Sequence, residues 1–292
     1  MVTGYFARLR KQNPLVRKSL SLFKQVPRFG VALLKSGEPP HCLLANSFPK
    51  SGTHLLKQVL SAFPGTRNYD SFIASIPPIR FKERSQRTLL RRISWIVPGE
   101  LVAAHLHYSP ACHQALRAKG CVHYLIIRDP RDVVVSDVHY LTFMHKYHRL
   151  HHYFAHKLSN MSERIRCAIE GIPAGTVPFY FPDIGQRFRP FLPWFDQKEV
   201  CVVRYEELTS ERRQACLHRM LAFYGDITGT RRNHEEILRM IERNIVPENS
   251  HTFRKGGSGG WREVFEPEHK QLMKEIAGEL LIRLGYEKDL DW

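Results

Sequence analysis

The segment HCLLANSFPKSGTHLLKQVL, residues 41–60, constrains the fold of this chain more than any other stretch. It starts as a short apolar run typical of a buried strand, turns through Ser51 and Gly52, and continues with apolar residues at helical spacing. The backbone N–H groups of such a loop can cradle a phosphate, together with the N-terminal amides and positive dipole end of the helix. The order of strand, loop and helix therefore predicts a phosphate-binding loop.

Three further strand-like runs, ELVAAHLH, CVHYLIIR and EVCVVRYE, alternate with helical patterns along the chain. This alternation is typical of an α/β fold. We therefore expect a single α/β domain over residues 38–292, with a central, mostly parallel sheet flanked by helices and a P-loop-like loop. Residues 1–37 carry eight Lys or Arg and no acid, and we expect them to form a basic N-terminal arm.

The chain is strongly basic, because 44 Lys and Arg stand against 28 Asp and Glu and leave a formal net charge of +16. Such a charge attracts anions, whether nucleic acid, a membrane surface or a phosphorylated small molecule. The arm lacks the continuous apolar stretch of a secretory signal. We interpret it as an organellar transit peptide, a membrane-surface contact, or a segment packed on or trailing from the domain.

The six cysteines are scattered along the chain without a C-x-x-C pair, and several lie in apolar runs such as CVHYLII and VCVVRY. This pattern favours buried free thiols over a disulfide framework or a zinc site. We therefore expect a reducing, cytoplasmic location, and no run of 18 or more apolar residues argues for a membrane span.

The phosphate loop differs from that of ATP- and GTP-binding proteins. An ordinary P-loop places its lysine inside G-x-x-x-x-G-K-[ST], and this chain contains no Gly-Lys dipeptide. Lys50 stands just before the loop instead, where its ammonium can reach the same anion. The sequence therefore disfavours a nucleotide-dependent kinase, which remains an alternative.

Two later segments also carry candidate anion ligands. In YLIIRDPRDVVVSDVHY, Asp129 suits the N-cap of a helix and Pro130 its first position. Arg128 falls at the end of the preceding strand and Ser136 about two turns into that helix, an arrangement that suits a second phosphate. The alternative is that Arg128 only forms a salt bridge with Asp129 or Asp132. In FRKGGSGGWREVF a glycine-rich loop could close over an anion or be a mobile surface turn. Its candidate ligands are Arg254, Lys255 and Gly256.

Taken together, these segments resemble the family of sulfotransferases that use 3′-phosphoadenosine 5′-phosphosulfate (PAPS), in its soluble, cytosolic-type form. The resemblance rests on FPKSGTH, RDPRDVVVS and RKGGSGGW, with HL at 105–106 and YEEL at 205–208 as further landmarks. It implies an enzyme that moves a sulfonate group from PAPS to a hydroxyl, or secondarily an amine, of a small-molecule acceptor. It implies no metal.

The resemblance also assigns the site residue by residue. The loop amides that would hold the 5′-phosphate are those of Ser51, Gly52, Thr53 and His54. Lys50 would lie beside the oxygen that bridges phosphate and sulfonate, where negative charge builds as the S–O bond breaks. The residues that would hold the 3′-phosphate are Arg128, Ser136, Arg254, Lys255 and Gly256. Tyr205 would contact the adenine.

His105 matches the general base of the family, since an imidazole can take up the proton of the acceptor near neutral pH. His107 is the alternative, because two residues on in a continuing strand it would point to the same face. The sequence departs from the family at Leu55, where an aromatic residue usually stacks on adenine. It also departs at Gly260, which stands where an acid usually precedes the late Trp.

A run of histidines and aromatics follows the RDP helix. On a continuous helix His145, His148 and His152 would share a face, which leaves open a metal site or, as we prefer, a lid or wall of the acceptor pocket. The aromatic residues that would supply apolar surface there are Phe143, Tyr147, Tyr153, Phe154, Phe179, Tyr180 and Phe181. Such a wall suits an aromatic or alicyclic alcohol, and the alternative is that these aromatics serve ordinary core packing.

A basic nucleic-acid-binding protein is the alternative outside enzymes. Such a protein should gather Lys and Arg with interleaved aromatics on one face. Here the basic residues are spread through the chain, so we expect no nucleic acid partner.

Overall fold

Five short segments pair in parallel and form the central sheet of the computed structural model, which describes residues 41–77, 82–230, 234–246 and 257–292. The strands are β1 (Leu43–Ser47), β2 (Arg67–Ala74), β3 (Glu100–His105), β4 (Val122–Ile127) and β5 (Val200–Arg204). Their order across the sheet is β2-β3-β1-β4-β5. Because every neighbouring pair is parallel, the carboxyl ends of all five strands lie at one edge. The predicted α/β fold is confirmed.

The helices fill the connections between the strands and follow the last one. Before β5 they are α1 (Thr53–Leu60), α2 (Gln86–Ser94), α3 (Pro110–Ala118), α4 (Pro130–His139), α5 (His151–His156), α6 (Met161–Glu170) and α7 (Ile184–Phe188). After β5 they are α8 (Tyr205–Leu208), α9 (Arg213–Thr228), α10 (His234–Asn244) and α11 (Pro267–Arg283). A π-helical turn at Tyr140–Met144 and 3-10 turns at Arg189–Asp196 and Gly260–Glu263 complete the described elements.

Helices cover both faces of the sheet, which explains the continuous apolar runs of the central strands. Leu43 and Ala45 point into one core with helices α1, α9 and α10. Leu44, between them, points into the other core with helices α2, α3, α4, α6 and α11. This alternation follows from the two-residue period of a strand.

Local signals set two of the helix starts that bear on the site. Asp129 caps α4 by accepting from the N–H of Arg131, and Pro130 occupies the first helical position, as predicted. Gly52 precedes α1 with φ 102°, and among the described residues no side chain caps that helix. A helix start of this kind can present backbone amides to an anion.

The edge strand β2 was not predicted from the sequence. Its residues, RNYDSFIA, form no apolar run, because only the last part of this strand is buried. Asp70, at φ 57°, lies where the register with β3 shifts, and the side chain of Lys57 pairs with it at 3.0 Å.

The expectation of six free thiols was wrong for one pair. Cys42 and Cys121 form a disulfide between the chain segments that enter β1 and β4. The sheet topology makes these strands neighbours although the cysteines are 79 residues apart, which spacing alone does not reveal. The other four cysteines are buried free thiols, and burial raises the pKa of Cys167 to about 12.

The predicted basic arm, residues 1–37, lies outside the described residues, as do Arg254, Lys255 and Gly256. Among the helices that the structure describes, none is both long and apolar enough to span a membrane.

Candidate active site

The loop between β1 and α1 has an unusual backbone. Lys50 adopts φ 67°, a left-handed conformation that is uncommon for a residue with a side chain. The N–H of Ser51 donates to the carbonyl of Phe48 at 3.2 Å, and Gly52 then turns the chain into α1. Such strained conformations persist where the surroundings hold them, and they cluster at functional sites.

Ser51 and Thr53 differ in what their hydroxyl groups contact. The side chain of Ser51 is fully buried, and its Oγ has no hydrogen-bond partner among the described residues. The Oγ1 of Thr53 lies 2.6 Å from the Oγ of Ser47, the last residue of β1. A buried hydroxyl without a partner is costly, so an anion in the loop would satisfy it.

Position 52 has no room for a side chain, because Tyr205 packs against Gly52. A Cβ at this position would lie 2.6 Å from Cδ2 of Tyr205, the first residue of α8 after β5. The ring of Tyr205 in turn lies under the guanidinium of Arg128, with 4.5 Å between Cζ and the ring centroid. The fold therefore brings the ends of β1, β4 and β5 together at one point.

Replacing Gly52 with Ala should lower the free energy of unfolding by about 1–3 kcal/mol, through backbone strain and overlap with Tyr205. Gly175→Ala is the matched control, because Gly175 also has a positive φ, 86°, but no atom of the described residues lies within 4 Å of the position that its Cβ would take. Urea unfolding of both variants measures the two costs. Equal losses for both would show that Tyr205 does not restrict position 52.

Arg128 forms its hydrogen bond with the end of the glycine-rich loop and not with a nearby carboxylate. Its Nη2 donates to the carbonyl of Gly257 at 3.1 Å and lies 4.0 Å from Asp132, while its Nε has no partner among the described residues. Asp129 pairs with Arg131 instead, at 2.8 Å. A salt bridge with Asp129 or Asp132 therefore does not by itself explain the observed contacts of the Arg128 side chain.

Asp132 and Arg131 fix the exit of the glycine-rich loop, and the sequence reasoning missed both roles. The carboxylate of Asp132 accepts from the N–H groups of Gly259, at 2.7 Å, and Trp261, at 3.1 Å. The buried guanidinium of Arg131 stacks on Trp261 at 4.0 Å and is held by Asp129 and Glu287. The sequence signal for these two roles was the repeated Arg-Asp in RDPRD. It places charged side chains in the first turn of a helix, where they are buried against the rest of the domain.

Lys50 is a partly buried ammonium among charged and aromatic groups. Its Nζ lies 3.8 Å from the centroid of the Tyr140 ring. Burial lowers the pKa of Lys50 to about 8; the nearby carboxylate of Asp137 acts against this shift, and the charge of Arg128 adds to it. A cation with so low a pKa can lose its charge within the range of ordinary assays.

His105 ends β3 beside the phosphate loop. Its Nδ1 lies 2.9 Å from the carbonyl oxygen of Ser47, which can only accept, so Nδ1 carries the proton and Nε2 is the basic atom. Burial lowers the pKa of His105 to about 4, which makes the ring neutral at pH 7. Asn46 fixes the turn after β3, because its side chain accepts from the N–H of Leu106 and donates to the carbonyl of the same residue.

His107 does not extend the strand, because β3 ends at His105. Its Nδ1 lies 2.9 Å from a carboxylate oxygen of Glu83, and burial lowers its pKa while Glu83 opposes the shift. His105 therefore contacts a backbone carbonyl, whereas His107 contacts a carboxylate.

Two further candidates lie on the helices that follow β1 and β4. Ser136 is partly buried in α4, and His54 is partly buried in the first turn of α1. Leu55 packs against the core that contains Tyr205, so the position of the usual adenine-stacking residue is occupied by apolar packing.

The histidine run does not form one helix, so the expectation of a shared face was wrong. The π-helical turn follows α4, and α5 begins only at His151, whose Nδ1 lies 2.8 Å from the carbonyl of Leu141. His145 and His148 instead pack near Tyr140, with ring centroids 5.3 and 6.0 Å away. In the parts of the chain that the structure describes, no group of three His, Cys, Asp or Glu side chains could hold a metal ion.

These features define an α/β protein with a candidate anion-binding loop, a lysine and a histidine at the carboxyl edge of a parallel sheet. The family model of the sulfotransferase domain matches residues 39–285. The chain therefore belongs to the sulfotransferase domain family, and the prediction of a sulfotransferase is confirmed. This membership speaks against the kinase and nucleic-acid alternatives.

The solved structures give a matching fold. Mouse sulfotransferase SULT7A1, complexed with PAP, superposes with a TM-score of 0.57 and is 19% identical in sequence. The match covers 86% of this chain and 88% of that one. No curated protein sequence matches this chain.

Proposed function

We propose that this protein transfers a sulfonate group from PAPS to a hydroxyl, or secondarily an amine, of a small-molecule acceptor. The observation that carries the proposal is the position of Ser47. Its carbonyl accepts from His105, and its hydroxyl contacts Thr53 at the start of α1. The candidate base is therefore attached directly to the candidate phosphate loop.

The residues present fit a donor with two phosphate groups. Ser51 Oγ and Arg128 Nε are buried polar atoms without partners among the described residues. The uncapped start of α1 and the close approach at Gly52 leave backbone amides for one phosphate. Arg128, with Ser136 in the following helix, would bind the other, joined by Arg254, Lys255 and Gly256 from the adjoining loop. Tyr205, between Gly52 and Arg128, is the proposed adenine contact.

When bound, PAPS supplies a sulfonate group joined to phosphate by an S–O bond that breaks in the reaction. Lys50 would place its ammonium where negative charge develops on the departing phosphate. Because that charge is larger in the transition state than in the ground state, the lysine would act on the rate more than on donor affinity.

His105 would take the proton that the acceptor loses. A bond forms between the acceptor oxygen and sulfur, the bond from sulfur to the bridging oxygen breaks with its electron pair leaving on the phosphate, and the acceptor proton goes to Nε2. The hydrogen bond from Nδ1–H to the Ser47 carbonyl fixes the tautomer and stabilises the imidazolium as it forms.

The surroundings of His105 support an apolar acceptor such as an aromatic or alicyclic alcohol. The ring of Phe72 meets the imidazole edge-to-face at 5.0 Å and is 40% exposed. Two buried aromatic rings, Phe48 and Phe188, stack just behind the loop. The proposed acceptor pocket lies on this side, whereas Phe143 and Tyr147 of the histidine run are 55% and 79% exposed. Membrane contact through the basic arm stays a separate proposal.

Calorimetry with adenosine 3′,5′-bisphosphate tests the donor, with ATP and AMP as controls. We expect the bisphosphate to bind more tightly than either control, and Arg128→Ala to weaken its binding by about 10- to 100-fold, since one charge-assisted phosphate contact is lost. Arg166→Ala is the matched control, because Arg166 is an exposed arginine paired with Glu170 on α6. A preference for ATP, or equal binding by both variants, would contradict the proposal.

A further inference from the structure

Tyr140 stands out among the groups around Lys50, because the sequence motifs assign it no role. The ammonium of Lys50 lies over its ring at 3.8 Å from the centroid, well inside the distance at which a ring face attracts a cation. Ninety residues separate the two positions in the sequence, so only the fold creates this contact.

The ring of Tyr140 is held firmly. Tyr140 opens the π-helical turn that directly follows α4, and such turns are frequent at functional sites. Its carbonyl accepts from the N–H of His145 at 3.0 Å, and the rings of His145 and His148 pack near it. A ring fixed in this way can fix what lies on its face.

The other charged and titratable groups near Lys50 do not explain its placement. Asp137, on α4, pairs one carboxylate oxygen with Arg187 at 2.7 Å, and its charge favours the charged form of Lys50 without a salt bridge between the two among the described residues. Arg128, His105 and His148 are cationic or neutral groups that cannot attract an ammonium through charge. Among the groups that the described residues place around Lys50, the ring face of Tyr140 is therefore the one in direct contact with its ammonium.

We propose that Tyr140 is a positioning residue, whose ring face holds the charged ammonium of Lys50 at the phosphate loop before the donor binds. This inference rests on the proposed function for its catalytic consequence, but the contact itself exists without a donor. Burial lowers the pKa of Lys50, and a ring face that stabilises the charged ammonium makes this lowering smaller.

NMR of the ligand-free protein tests the contact independently of the reaction. With lysine labelled at Cε, and Lys50 assigned through a Lys50→Met variant, the Hε protons of Lys50 should show an upfield ring-current shift. Tyr140→Leu should abolish that shift and lower the midpoint of the Lys50 titration, whereas Tyr140→Phe keeps the ring and should keep both. An unshifted Lys50 resonance, or the same shift in Tyr140→Leu, would overturn the proposal.

Kinetics then tests the consequence. With PAPS and a panel of phenols and alicyclic alcohols, Tyr140→Leu should lower kcat by about 10-fold, and the basic limb of kcat/KM should move to lower pH. Affinity for PAPS should stay nearly unchanged, and Tyr140→Phe should restore kcat. If the bisphosphate fails to bind the wild-type protein, the proposed function fails, and the NMR result still decides the contact. Wild-type kcat in Tyr140→Leu would show that the contact does not serve the reaction.

Discussion

Replacing Lys50 with Met should lower the rate of sulfonate transfer by about 100- to 1,000-fold, the range found when one group that stabilises transition-state charge is removed. Affinity for PAPS should change far less, because negative charge builds on the bridging oxygen only as the S–O bond breaks. Met preserves the Cβ and most of the side-chain length, so the left-handed backbone at position 50 is stressed no more than in the wild type. Single-turnover kinetics and calorimetry measure the two quantities.

The pH dependence provides a second readout of the same residue. The ammonium of Lys50 must be charged to act, and its pKa is about 8. We therefore expect kcat/KM to fall as the pH rises through about 8. The basic limb should vanish in Lys50→Met. Lys198→Met is the matched control, because Lys198 is an exposed lysine outside the site. A Lys50→Met enzyme with the wild-type rate would remove the lysine from the mechanism.

Replacing His105 with Asn should lower the transfer rate by about 100- to 10,000-fold, the contribution of a well-placed general base. The Asn amide can still donate a hydrogen bond in the direction of the Ser47 carbonyl, but it has no basic nitrogen. Since the neutral imidazole is the active form and its pKa is about 4, the wild-type kcat/KM should fall only as the pH drops toward 4.

His107→Asn separates the two candidate bases. His107 contacts Glu83 and lies beyond the end of β3, so its replacement should cost far less than that of His105. Thermal unfolding of both variants shows whether a rate loss reflects misfolding. If His107→Asn lost the larger share of the rate while remaining folded, His107 would be the base and the assignment of His105 would be wrong.

Local patterns in the sequence were sufficient for the fold class and for the position of the candidate phosphate loop. Apolar runs in alternation with helical patterns predicted the parallel sheet, and Asp129-Pro130 predicted the start of α4. The loop after β1 was placed correctly because strand, glycine turn and helix are adjacent in the chain. Such features depend on interactions between near neighbours, which a sequence displays directly.

Other features were beyond the reach of local patterns. The edge strand β2 lacks an apolar run, and the histidine segment is broken by a π-helical turn where helical spacing suggested one face. The disulfide between Cys42 and Cys121 depends on which strands become neighbours. Each of these features depends on how the rest of the chain packs against the segment. The residue spacing within the segment does not reveal that packing.

By itself the sequence determined a basic α/β sulfotransferase with Lys50 and His105 as candidates for its chemistry. Only the tertiary structure decided how these side chains are held: His105 by the carbonyl of Ser47, and Lys50 by the ring face of Tyr140. The physical reason is that tautomer, charge state and orientation depend on groups within a few ångströms. The fold gathers those groups from the ends of separate strands and from helix α4 and the turn that follows it.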